Sequence, residues 1–176
     1  MGGATLHTRG WNSERGMGMR RYKVGVCSAL AVLAAIAVPF SGALAAGGMG
    51  AQEKAALASF EAMLDGLGKR DKAAMLATFL PGGTATLMRK DKPVQLTLES
   101  LADKISKSGT DPIEERIHDA LVRVDGNVAI VWAPFELLEN GKVEHCGRDV
   151  ANLVRVEGRW LIAAIVDNSH DDCRKK

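Results

Sequence analysis

The chain has 176 residues, 47% hydrophobic and 25% charged, with a formal net charge of +2, the composition of a globular protein. Five basic residues and one acid precede Ala46, so the 131 residues that follow Ala45 carry 18 Lys+Arg against 20 Asp+Glu. That balance, with no basic patch interleaved with aromatics, excludes an electrostatic footprint for nucleic acid, and the length suffices for one domain with a core.

In chain order, Arg20-Arg21-Tyr22-Lys23 forms a positive segment, Val24 to Phe40 an apolar run, and Ala43-Leu44-Ala45 a small-x-small cleavage pattern. Residues 1–45 therefore read as an N-terminal extension and signal peptide cut after Ala45. The competing reading is a membrane anchor, which needs about 20 apolar residues; the run falls slightly short and no stop-transfer cluster follows. The expectation is an exported protein, periplasmic or secreted, with no stable membrane insertion after cleavage. Cys27 leaves with the signal. Cys146 and Cys173 remain, and an even count in an oxidising compartment favours a disulfide, against the alternative of two free thiols.

Residues 46–52 are Gly-rich and read as a flexible lead-in to a single domain over 53–176. From Glu53, Ala56, Phe60, Met63, Leu64 and Leu67 recur at helical spacing, with Gly68 as a stop. Asp71 caps a second helix that carries Met75, Leu76, Phe79 and Leu80 and ends at Pro81-Gly82-Gly83. Thr84 to Met88 and Val94 to Thr97 read as a hairpin whose charged tip, Arg89 to Pro93, is solvated. Thr97 caps a third helix bearing Leu98, Leu101, Ala102 and Ile105, ended by Gly109.

Glu114 to Val124 reads as one strand of mixed faces, and Asp125-Gly126-Asn127 as a turn. Val128 to Asp167 then gives three strands, joined at Asn140-Gly141 and Glu157-Gly158, both strong hairpin signals. With a two-residue Asn140-Gly141 turn, Glu136 lies opposite His145 and Trp132 opposite Asp149 on one face. A carboxylate beside an imidazole holds its tautomer and raises its pKa, a common way to build a general base. The competing reading is an exposed ion pair. The face taken by His118 depends on whether the turn before Val128 has two residues or three. Pro134 cannot donate to a ladder and marks an edge or bulge. Asp149 lies among Val150, Ala151 and Leu153, where a carboxylate needs a partner, with Arg116 and Arg148 as candidates. His145, Cys146 and His170 lack metal-ligand spacing. No nucleotide, metal or flavin motif is present, so no cofactor is expected.

The order helix, helix, hairpin, helix, meander resembles the nuclear transport factor two-like fold, also seen in ketosteroid isomerase and polyketide cyclases. Val131-Trp132-Ala133-Pro134-Phe135, Gly141-Lys142, His145-Cys146-Gly147, Asp149 and Gly158-Arg159-Trp160-Leu161-Ile162 are similar to the lumazine-binding-like branch of that superfamily, over about Glu53 to Asp167. Position 151 is Ala where that branch often carries a large aromatic, which enlarges a pocket or leaves it to Trp132. The resemblance implies an α+β fold, a cone-shaped curved antiparallel sheet packed on three helices. It also implies an apolar cavity for a small apolar or heterocyclic ligand, and a homodimer formed through the sheet. The ligand-binding candidates are Trp132, His118, Asp149 and His145. The catalytic candidates are Asp149, His145 and Glu136, for a cofactor-free lyase, cyclase or isomerase reading. The third reading is a structural domain with a filled cone.

Overall fold

The structure is a computed structural model that describes residues 49–173; the extension, the signal-peptide reading and its cleavage after Ala45 lie outside the described residues. Three helices precede most of the sheet: α1 (Ala51–Gly68), α2 (Lys72–Thr78) and α3 (Leu98–Ser106). Helix α1 begins two residues before Glu53, so Ala51 and Gln52 are helical and not lead-in, and the Glu53 carboxylate accepts from the Gly50 N–H at 2.8 Å. Asp71 and Thr97 cap α2 and α3, accepting from the Ala74 and Ser100 N–H groups; each cap satisfies an N–H that has no partner inside its helix.

The seven strands are β1 (Phe79–Arg89), β2 (Lys92–Thr97), β3 (Ile113–Ile117), β4 (Leu121–Asp125), β5 (Val128–Glu139), β6 (Lys142–Val156) and β7 (Arg159–His170). They form one sheet in the order β2-β1-β7-β6-β5-β3, with β4 also paired to β5. The sheet departs from a pure antiparallel meander at one place, where β1 runs parallel to β7. Pro81-Gly82-Gly83 does not end α2 directly. The helix stops at Thr78, Phe79 already pairs with Ile162, and the Pro-Gly-Gly stretch is an irregularity inside β1. Pro93 sits in β2, at the edge of the sheet, where its missing N–H costs no ladder bond.

Three one-residue irregularities bend the sheet and set which side chains face the helices. In β6, Glu144 is the extra residue: Leu138 pairs with Val143 but Leu137 pairs with His145. The segment expected as one strand is broken at 118–120, leaving one residue more than β5 has between the matching pairs Ile117↔Phe135 and Leu121↔Trp132. In β7, Ala163 is extra between Asn152↔Ala164 and Leu153↔Ile162. Such bulges kink a strand and strengthen its twist. The hairpin turns are as their sequences indicate, with positive φ at Asn140 and Gly141 and at Glu157 and Gly158.

The core lies between the concave face and the helices. Phe60, Met75, Leu98, Leu153, Ile162, Val122 and Val131 are its largest fully buried side chains. Ala151 is fully buried in this core and does not enlarge the cavity described below. No helix among the described residues is long and apolar enough to cross a membrane.

Cys146 and Cys173 are joined by a disulfide, Cα atoms 5.6 Å apart, which ties the chain beyond β7 to the middle of β6. It closes a loop across a sequence separation of 27. Cys173→Ser is expected to lower stability by about 3 kcal/mol through the loop entropy returned to the unfolded chain. The urea midpoints of the oxidised wild type and the variant measure this, and equal midpoints would show that the strap carries no stability.

Candidate functional site

The one-residue shift at Glu144 has a large consequence, because it moves every β6 side chain from His145 onward to the opposite face from that expected. Glu136 lies opposite Cys146, not His145, and Trp132 lies opposite Val150, not Asp149. The expected Glu136–His145 pair therefore does not form. Trp132 and Glu136 are on the convex face, away from the helices, and Trp132 is 42% exposed with the Arg148 guanidinium 5.3 Å from its ring centre. The turn between β4 and β5 is the two-residue type, Asp125 pairing with Val128. The break at 118–120 nevertheless returns His118 to the face of Trp132, where its Nε2 is 3.6 Å from Glu136 Oε2. His118, Glu136 and Arg148 line a second concavity, of about 450 Å³, beside the disulfide.

Asp149 and His145 take the concave face, Asp149 between Ala133 and Asp167 and His145 beside Leu137. Both line a cavity of about 320 Å³ between the sheet and helices α1 and α3. Met63 and Leu67 of α1, Leu101 and Ile105 of α3, and Leu87, Ile113, Leu137 and Ile165 of the sheet supply its apolar walls. Glu115, Asp149, Asp167, Arg89 and His145 supply its polar groups, with Arg70, Ser108, Glu139 and Glu144 completing the lining.

Three of these polar residues were not among the sequence candidates. Arg89 is not part of a solvated hairpin tip. It sits at the end of β1, and its two terminal nitrogens bond the Asp167 oxygens at 2.5 and 2.8 Å, a bidentate pair of the strong kind. Glu115 lies on β3 between Ile113 and Ile117, on the face that points inward. An acid at the centre of an Ile-x-Glu-x-Ile alternation was the available signal. Asp167 closes the apolar run of β7 and carried no comparable mark.

The electrostatics follow from burial. Asp149 is 4% exposed and its Oδ2 is buried without a hydrogen-bond partner. Burial, then the nearby Glu115 and Asp167 carboxylates, push the Asp149 carboxyl up to about 9. Burial also raises Glu115, to about 7, opposed by its hydrogen bond to Asp149 and by the charge of Arg89. The two carboxyl groups titrate as a pair, and burial keeps a proton on that pair near neutrality. Burial, and then Arg89, push the His145 imidazole down, so it is neutral at pH 7 and lies edge-on to Phe135, ring centres 5.9 Å apart. Such a group of acid, carboxylate and neutral imidazole can donate to a ligand, accept from it, or move a proton. Among the described residues no group of three or more His, Cys, Asp or Glu side chains is arranged to hold a metal ion.

Solved structures with this architecture include an NTF2-like protein of unknown function from Shewanella baltica OS155, 20% identical, covering 68% of this chain and 94% of its own, at TM-score 0.55. A protein of unknown function with a cystatin-like fold from Nostoc punctiforme is 13% identical, covering 73% of this chain and 98% of its own, at TM-score 0.59. A protein described as a "putative dehydratase" of the NTF2-like family from Streptomyces avermitilis is 13% identical, covering 68% and 96%, at TM-score 0.57. At these identities the likeness shows the fold. No curated protein matches the chain. Residues 51–166 match the family described as "Putative lumazine-binding", a span from the first turn of α1 almost to the end of the paired sheet, and the chain belongs to that family.

Proposed function

We propose that the domain is an exported small-molecule binder that holds a mostly apolar or heterocyclic molecule in the cavity under the sheet. The observation that carries this reading is the buried Asp149 Oδ2, unpartnered at the wall of a cavity of about 320 Å³ that is otherwise largely apolar. An unmet buried acceptor is costly, and a ligand N–H or O–H placed there would meet it. Apolar walls with a few convergent polar groups are the usual design of a small-molecule site. The family match supports a heterocycle as the guest. The export reading rests on the segment over residues 20–45, and His145 and Asp149 are the sequence candidates retained in the site, joined by Glu115.

A second reading has its own support. Asp149 as acid beside Glu115 as carboxylate is a pair whose environments separate their proton affinities, which is how acid and base roles are assigned in proton-transfer sites. A cofactor-free lyase or isomerase would use Glu115 to take a proton next to a carbonyl and Asp149 to donate to the developing enolate.

Pairing with a second copy through the convex face is the third part of the proposal. Leu121, Trp132, Val150 and Val166 form one cross-strand row there. Leu121, Trp132 and Val166 are each more than 40% exposed, an apolar row of the kind that a partner covers.

Native mass spectrometry on the full-length gene product, recovered from the exported fraction, tests all three parts. The expected spectrum shows a dimer of chains cut after Ala45, carrying a few hundred daltons that are lost on denaturation and are absent from Glu115→Gln. An empty wild-type chain that turns over an added carbonyl substrate, with the turnover abolished in Asp149→Asn, would overturn the binder in favour of the enzyme.

A further inference from the structure

The charges around the cavity are unevenly committed. Both cations that line it are already engaged. Arg89 gives its two terminal nitrogens to Asp167 and also donates to the Met88 carbonyl. Arg70 donates to the carbonyls of Ile105 and Asp111 and to the Ser108 hydroxyl, so it is spent on the end of α3. The acids are not engaged in the same way. Glu115 and Asp149 inside, and Glu139 and Glu144 nearer the solvent, line the same cavity, and among the described residues no lysine or arginine makes an ion pair with any of them. The lining thus offers acceptors and negative charge, and no free donor of positive charge. Asp149, whose Oδ2 has no partner, lines the same space.

We infer that the cavity selects ligands with a cationic nitrogen, an amidinium or a protonated amino-heterocycle set on one or two rings, and rejects carboxylates and phosphates of the same shape. This rests on the binding reading above and names the charge of its ligand. A guanidinium-like or amidinium edge has two parallel N–H donors, one for the Glu115 carboxyl and one for the Asp149 oxygen that has no partner. The ring carrying it packs on the walls from α1 and α3. An anion of the same size meets the acids Glu115, Glu139 and Glu144, and the guanidinium of Arg89 reaches it only by leaving Asp167. Exclusion of like charge from a low-dielectric site is a strong source of selectivity. The volume admits a molecule of about one or two rings, at the small end of ligand sites.

Benzamidine, benzamide and benzoate have one shape and three charges, so they isolate the effect. Titration calorimetry of each into the full-length protein at pH 7, with indole as a neutral apolar control, is the experiment. The expected result is benzamidine binding at least tenfold more tightly than benzamide, with no heat from benzoate. Asp167→Asn should free Arg89 and give benzoate measurable binding, and Glu115→Gln should shrink the benzamidine preference. Equal binding of benzamidine and benzamide in the wild type, or benzoate binding as tightly, overturns the charge inference. Indole binding without benzamidine binding also overturns it while leaving the small-molecule reading in place. Silence from all four overturns both. The wild-type comparison decides even if a variant fails to fold.

Discussion

Gly147→Ala is expected to destabilise the domain by about 3 kcal/mol or more, the upper range for overpacking a core position. A Cβ at Gly147 would stand 1.7 Å from the carbonyl oxygen of Asn168 and 2.9 Å from Cε1 of Phe135. The first of these is backbone in the neighbouring strand β7, so no rotamer change relieves it. Gly147 sits between His145 and Asp149 on β6, paired to Phe135 on one side and Ser169 on the other. Pushing β7 away here would also disturb Asp167, which pairs with Asp149 across the same two strands. The variant should therefore lose both stability and any cavity ligand. Guanidinium or urea unfolding measures the first, and a midpoint within error of the wild type would mean that the strands are not packed as described.

Asp149→Asn is expected to be tolerated at neutral pH and to remove most of the domain's pH-dependent loss of stability. The sign follows from the raised carboxyl. Between its unfolded value near 4 and its folded value of about 9, the folded protein holds a proton that the unfolded chain has released. Its contribution is fully present below about pH 4 and declines as pH rises through that window. The wild type should be a few kcal/mol less stable at pH 9 than at pH 5. Asn keeps a donor toward Glu115 and has no charge to gain, so its stability curve should be flatter. Urea midpoints at pH 5, 7 and 9 give the comparison, and parallel curves for the two proteins would rule out a strongly raised Asp149.

The fold was legible because local signals agreed with it. Asp71 and Thr97 cap helices, Asn140-Gly141 and Glu157-Gly158 turn hairpins, and Phe60, Met63 and Leu67 lie on a buried helical face. The site was legible only in part, and the reason is register. Glu144 is an ordinary strand residue in sequence, and nothing in its chemistry marks it as the extra residue of a bulge. One such residue exchanges the two faces of β6, so the reading that joined Glu136 to His145 joined side chains on opposite faces. Asp149 was singled out because a carboxylate is unusual in an apolar strand, an argument that does not depend on register, whereas His145 was reached through the pairing with Glu136 that does not form. Arg89 was read as solvated because it adjoins Lys90, Asp91 and Lys92. Its partner, Asp167, is 78 residues away, and a pairing at that distance leaves no trace in local pattern.

That same separation bears on how the molecule reaches its folded state. Strand β1 has only the edge strand β2 beside it until β7 arrives, because Thr84 pairs with Ala164, 80 positions later. Contacts of such range must overcome chain entropy before they return any energy, which slows folding. A nascent chain that has not yet delivered Arg159–His170 has its helices and its hairpins but an open sheet edge on either side of the missing strand. Strand β7 is therefore the one that closes the cavity, and the domain acquires its site only after Arg159–His170 has been made.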